Sequence, residues 1–160
     1  MQINLTDKNE IEKTVEEFSD MIMRIAFQNV KQTSNAEDIM QEVFLALLKK
    51  RNFKNREHLK AWLIRVTINK CKDYLRSVTR REISLETVQP FVSVSEGETI
   101  TEEIFALPAD DRNIIYLHYY EGYSAAEIGR IIKKSENAVF IKLCRAREKL
   151  KDILEDNGNE

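Results

Sequence analysis

Residues 122–147 read GYSAAEIGRIIKKSENAVFIKLCRAR, two helical patterns joined by a tight break. Ser124, with Glu127 three residues on, forms a capping box, so a helix begins there. Ala125, Ile128, Ile131 and Ile132 supply its buried face at helical spacing. The pattern breaks at Lys133, Lys134 and Ser135, and Ser135 is placed to cap a second helix. In that helix Val139, Leu143, Ala146 and Leu150 share one face. Lys142, Arg145, Lys149 and, at the edge of that face, Arg147 make the rest basic. A short helix, a tight turn and a longer basic helix is the pattern of a helix-turn-helix. Two surface helices of an ordinary bundle would share this spacing, so the remainder of the chain has to decide.

The bulk properties narrow the choice. A chain of 160 residues is one medium domain or two small ones. Four Gly and two Pro leave little room for the turns of an all-β fold, and Glu, Lys, Arg, Leu, Ile and Ala favour helix. An all-α protein is expected. Cys71 and Cys144 sit inside helical patterns with no Cys or His partner at ligand spacing, so no metal or cofactor is expected. They read as free thiols of a reducing compartment. The start, MQINLTDKNEIEK, is not a secretory signal, and no window is apolar enough to insert in a membrane, so a cytoplasmic protein is expected.

The net charge of −2 hides two basic blocks. Residues 49–81 hold twelve Lys/Arg against two Asp/Glu, and residues 133–151 hold seven against two. Residues 1–48 hold four against nine, and residues 82–104 hold six acids and no base. Two basic blocks separated by an acidic segment suggest two polyanion-binding surfaces.

The periodicity predicts a first helix over residues 8–30, capped by Thr6 or Asp7, with Ile11, Val15, Phe18, Ile22, Ile25 and Ala26 inward. A polar break at 31–34 and a cap at Asn35 predict a second helix over 36–50. Glu37 and Asp38 then lie in its first turn, and Ile39, Val43 and Leu47 face inward. A basic loop over 51–58 precedes a third helix at 59–77, with Leu59, Leu63, Val66 and Leu75 as core candidates. The division expected is a domain over 1–81, a flexible acidic linker over 82–100 and a second domain over 101–160. In the second domain a short helix stops at Pro108. Another runs from Asp110 and Asp111 to about Tyr120, with Ile114, Ile115, Leu117 and Tyr119 inward, and Gly122 ends it. Residues 152–160 read as a fraying tail.

Two blocks in this order resemble one family. Residues 36–45, AEDIMQEVFL, resemble the second conserved region of bacterial RNA polymerase sigma factors. Residues 59–76, LKAWLIRVTINKCKDYLR, resemble the helix that meets the downstream promoter element. Leu107-Pro108, Tyr119 to Ser124, Glu127-Ile128 and Arg145 to Arg147 resemble the C-terminal domain. The length and two-domain plan are similar to the extracytoplasmic-function (ECF) group. The resemblance implies a non-enzymatic alternative sigma factor that binds core RNA polymerase and promoter DNA, as duplex and as melted strand, with an anti-sigma factor as a possible further partner. It also implies that the acidic linker threads through the polymerase, where a polyanion mimics RNA.

The chemistry of each block agrees. Glu37, Asp38, Gln41 and Glu42, with Phe44, match the surface that grips the polymerase, and acids and amides suit an Arg-rich partner. The same acids would also serve helix-dipole stabilisation and a solvated face. Trp62, Arg65, Asn69, Lys70, Lys72 and Arg76 match the region that captures the opening strand. Asn52, Phe53, Lys54 and Arg56 lie where relatives form a pocket for a flipped base. Aromatic faces, amides and cations hold unstacked bases. Trp62 and Tyr74 also suit a core, and Asp73 suits pairing with Lys70 or Arg76. In the C-terminal domain Ser124, Ser135, Asn137, Ala138, Phe140, Ile141, Lys142, Arg145 and Arg147 match the upstream-element reader. Here the chain departs from the family. Ala138-Val139-Phe140-Ile141-Lys142 stands where Thr-Val-Lys-Ser-Arg is common, and Lys133 takes the place of a frequent turn Gly. Phe140 and Ile141 suit thymine methyls or a protein partner. The rival readings are a dimeric helix-turn-helix regulator that works without polymerase and a polymerase-bound interaction module.

Overall fold

The structure, a computed structural model, describes residues 2–80 and 105–158. These belong to two compact, mainly helical units. The expected linker at 82–100 and the start of the short helix expected at 101–107 lie outside the described residues.

In the first unit, helix α1 spans Lys8–Val30. Asp7 caps it by accepting the Asn9 N–H at 3.1 Å, which satisfies one of the open donors of the first turn. Lys31, at φ 61°, ends it in the left-handed conformation. Helix α2 spans Thr33–Lys50. It therefore starts before the expected cap. The break is Lys31 and Gln32 alone, and Asn35 lies inside the helix, donating Nδ2 to Gln32 Oε1 at 2.6 Å. Glu37 and Asp38 consequently lie beyond the first turn, and dipole stabilisation loses most of its force as an account of them. Helix α3 spans Arg56–Arg80, longer than expected at both ends.

Both α2 and α3 pack on α1. The C-terminal half of α1 is accordingly closed in on nearly all sides, with Ile22, Ile25, Ala26, Phe27 and Val30 at 1% exposure or less. Among its buried polar groups, Asn29 Nδ2 donates to the Ile25 carbonyl at 2.7 Å. The core face of α3 is Leu59, Leu63, Ile64, Thr67, Ile68, Cys71 and Val78. Val66 and Leu75, expected inside, are only half-buried. A two-residue ribbon pairs Ile3–Asn4 with Asn52–Phe53 in antiparallel register, and the Leu5 N–H donates to the Arg51 carbonyl at 2.9 Å. This ribbon turns the expected 51–58 loop into a pinned structure that buries Leu5 and Phe53.

In the second unit, helix α4 spans Ala109–Ile115 and runs into a π-helical segment, Tyr116–Tyr120. The wider winding rotates the register, so Tyr119 is 58% exposed, contrary to its expected core place, while Tyr116 is buried. Gly122, at φ +80°, reverses the chain, and the Tyr123 N–H closes the end on the Leu117 carbonyl at 3.0 Å. Helix α5, Ala125–Ile132, opens with the full capping box. Helix α6, Glu136–Gly158, takes in residues 152–158 of the stretch expected to fray. Ile114, Leu117, Ile128, Val139, Leu143 and Ala146 form the core of this unit, each at 3% exposure or less. Among the described residues no helix is long and apolar enough to cross a membrane.

Candidate nucleic-acid interface

On α2, Glu37, Asp38, Gln41 and Glu42 are exposed and share one face by helical spacing, with Phe44 half-buried at its margin. At the middle of that face lies Leu45, 60% exposed. Sequence reasoning did not single out Leu45 as a site residue. Its signal was an apolar residue between the core positions Val43 and Leu47, where the 3.6 period calls for a polar one. The acidic face reaches α3: the charge of Asp38, after burial, helps to push the Tyr74 hydroxyl pKa up.

On α3, Trp62, Arg65, Asn69, Lys72 and Arg76 fall within about a quarter-turn of one another, opposite the core stripe. Asn69 and Arg76 are exposed, and Trp62, Arg65 and Lys72 are half-buried. Lys70 lies about a third of a turn off this line. Asp73 stands beside it and meets Arg76 at 3.6 Å. Both groups are solvent-exposed, so that pair is weak.

The residues of the expected flipped-base pocket are placed differently. Phe53 is 3% exposed, held edge-on by Trp62 and His58 at centroid distances of 5.3 and 5.5 Å. Its ring belongs to the core of the first unit and presents no face to a base. Arg56 forms a salt bridge with Glu17 of α1, its Nε donating to Glu17 Oε1 at 3.2 Å, and its guanidinium lies 5.4 Å from the Phe18 ring centroid. It ties α3 to α1, with about half of its side chain exposed. Asn52 and Lys54 are exposed at the mouth of the ribbon. The turn after them is built locally, with His58 Nδ1 accepting from the Lys54 N–H at 3.1 Å and Asn55 Oδ1 from the His58 N–H at 2.9 Å.

The helix-turn-helix is α5, the turn at Lys133 to Ser135, and α6. Ser124 Oγ accepts the Glu127 N–H at 3.2 Å, and Glu127 Oε1 accepts the Ser124 N–H at 3.1 Å. These bonds hold the Glu127 carboxyl below its ordinary pKa. Ser135 caps α6, its Oγ accepting the Ala138 N–H at 3.1 Å. Both expected serines are thus engaged as caps. The turn is tight: a Cβ on Gly129 would lie 2.5 Å from the Lys134 carbonyl oxygen. Gly129 is therefore the close-approach residue that sequence reasoning missed, and Lys133 takes the left-handed conformation at φ 58°.

Along the outward face of α6 run Asn137, Ile141 and Cys144, flanked by Phe140 and Arg145, all exposed, with Ala138 half-buried. Phe140 and Ile141 are 55% and 42% exposed. The other expected cations turn elsewhere. Lys142 Nζ meets Asp110 Oδ2 at 3.5 Å, and the Arg147 guanidinium lies 5.3 Å from the Tyr119 ring centroid. Lys149 meets Asp111 at 3.6 Å. A shallow apolar groove of about 530 Å³ lies beside them, lined by Ile115, Tyr119, Leu150 and Leu154. Among the described residues, no three His, Cys, Asp or Glu come together to hold a metal.

Comparison with known proteins agrees with this architecture. The sigma-70 region 2 family matches residues 14–81, and the sigma-70 region 4 family matches residues 98–150. The ECF RNA polymerase sigma factor SigW of Bacillus subtilis is 26% identical over 176 residues, covering 97% of this chain and 94% of SigW. The probable RNA polymerase sigma factor RfaY of Xanthomonas campestris is 28% identical over 149 residues, covering 83% of this chain, which spans only 37% of RfaY. The fold is shared with the sigma factor RpoE of Bartonella quintana, solved with the anti-sigma factor NepR. The TM-score is 0.74 at 18% identity, covering 91% of this chain and 97% of RpoE. It is also shared with CnrH, solved with the cytosolic domain of CnrY, at TM-score 0.68 and 22% identity, covering 94% and 91% of the two chains. With regions 2 and 4 matched in order across most of its length, this chain belongs to the sigma-70 family of RNA polymerase sigma factors, in the ECF group.

Proposed function

We propose that this chain is an alternative sigma factor that binds core RNA polymerase and directs promoter-specific initiation. The observation that carries the reading is the pairing of two faces in the first unit. α2 carries an acid–amide stripe with an exposed leucine, and α3 carries a stripe of Trp62, Arg65, Asn69, Lys72 and Arg76. The first suits a basic protein surface. The second combines an indole, an amide and cations, the groups that hold a melted strand. The α5–α6 helix-turn-helix reads the upstream duplex. Bond-making in RNA synthesis falls to the polymerase, and this chain supplies binding and strand capture. The acidic segment at 82–104 suits a basic channel in the polymerase. An anti-sigma factor is a fitting regulatory partner, since RpoE, which shares this fold, is solved with one.

Run-off transcription with purified bacterial core polymerase and a promoter library tests the reading. Specific initiation is expected. Polymerase binding without initiation would make the chain an interaction module. Palindromic duplex binding by a dimer, with no effect of polymerase, would make it a stand-alone regulator.

A further inference from the structure

The first two turns of α6 decide what the helix-turn-helix can read, because the N-terminal residues of such a helix meet the base edges. Their outward positions hold Asn137, Phe140 and Ile141, and Cys144 continues the patch one turn on. Arg and Lys are the usual readers of guanine. Within residues 136–143 the single cation is Lys142, half-buried and turned toward Asp110. Arg145 lies beyond these turns. Apart from the exposed carboxylate of Glu136 at the first residue, what remains is an amide and two large apolar side chains. An amide pairs in bidentate fashion with adenine N6 and N7, and an apolar side chain packs on the thymine C5-methyl.

The surroundings favour DNA as the occupant. Residues 130–151 carry eight Lys/Arg against two Glu, and Lys133 in the turn before α6 and Arg145 beside Ile141 on its outward face are exposed. A partner must therefore offer apolar points inside an anionic frame. Thymine methyls between two phosphate ridges do so.

We propose that this recognition face selects A·T base pairs in the upstream element, with Asn137 on adenine and Phe140 and Ile141 on thymine methyls. The proposal rests on the sigma-factor reading and names the DNA that its second unit takes.

The test uses the full chain in two selections from one duplex library: run-off with core polymerase, and duplex binding by the free chain. Both should enrich A·T pairs in the upstream element. Each selected thymine is then replaced by deoxyuridine, which removes the methyl and nothing else. Initiation and binding should fall roughly fourfold for each contacted methyl, the value of one buried carbon. A Phe140→Ser, Ile141→Ser variant should lose the same amount on thymine templates and be indifferent to deoxyuridine. Both residues are exposed, so the fold should survive, and circular dichroism checks it. Duplex binding that is sensitive to deoxyuridine without initiation on any template would support this proposal while removing the sigma reading. Enrichment of G·C pairs, or indifference of the unaltered chain to deoxyuridine, would overturn it. An unchanged double-serine variant would also overturn it and assign the patch to a protein partner.

Discussion

The two basic blocks of this chain look alike in sequence and are used differently. Residues 49–81 and 133–151 both carry a large excess of Lys/Arg. On α3, Arg65, Lys72 and Arg76 share the outward stripe with Trp62 and Asn69. On α6, Lys142 and Lys149 meet Asp110 and Asp111, and Arg147 lies over Tyr119. Much of the second block's charge joins the parts of its own unit. A sequence gives a count of charges, and the fold decides which of them share a face. The first unit presents cations and an indole on one face, and the second presents an amide and apolar groups.

The sharpest way to break this comparison is Gly129→Val. The new side chain meets backbone at the turn, where neither group can give way, so a cost of about 3 kcal/mol is expected. Thermal unfolding should show the second unit melting early with the first unchanged. Next in size is the effect of salt on DNA binding. Replacing Arg65, Lys72 and Arg76 together by Ala should lower the salt slope of single-strand binding by roughly 2. The matching triple change of Lys142, Arg147 and Lys149 should alter the slope of duplex binding by less than about 1. Equal losses would erase the distinction between the two blocks. Ser124→Ala should cost about 1 kcal/mol through the lost cap. Because Glu127 has a folded-state pKa below its unfolded value, its contribution is present above the ordinary carboxylate range and is lost as pH falls through the folded value. The variant should therefore lose stability less steeply on acidification. The mildest probe is thiol labelling of the native chain. Cys144 is exposed, whereas Cys71 is buried and pushed up to about 12, so one thiol in two should react.

Much of the fold was legible because its signals are local. Asp7 before the apolar stripe of α1, the Ser124–Glu127 box, Ser135 and Gly122 each fix an end through their own hydrogen bonds or dihedral. The failures have physical causes. Asn35 has the chemistry of a cap, but Gln32 already held the extended conformation three residues earlier. Tyr119 has the spacing of a core residue in an α-helix, and the π-helical winding turns it outward. The pairing of residues 3–4 with 52–53 is too short to leave a period and depends on contacts far along the chain. For the same reason Phe53 and Arg56 read as a basic, aromatic loop fit for a base, when one is core and the other is tied to Glu17.

The turn between α5 and α6 has a consequence for binding entropy. Lys133 holds a left-handed conformation that glycine would adopt more readily, at a cost on the order of 1 kcal/mol. A lysine there also leaves the unfolded chain fewer conformations than glycine would, which offsets part of that cost. The Lys134 N–H bonds the Gly129 carbonyl at 2.8 Å across the closest backbone approach of the turn. The joint between the two helices thus has little slack, and their crossing is set before DNA arrives. A groove that accepts this preset angle is bound without ordering the joint. DNA of another shape has to bend to fit.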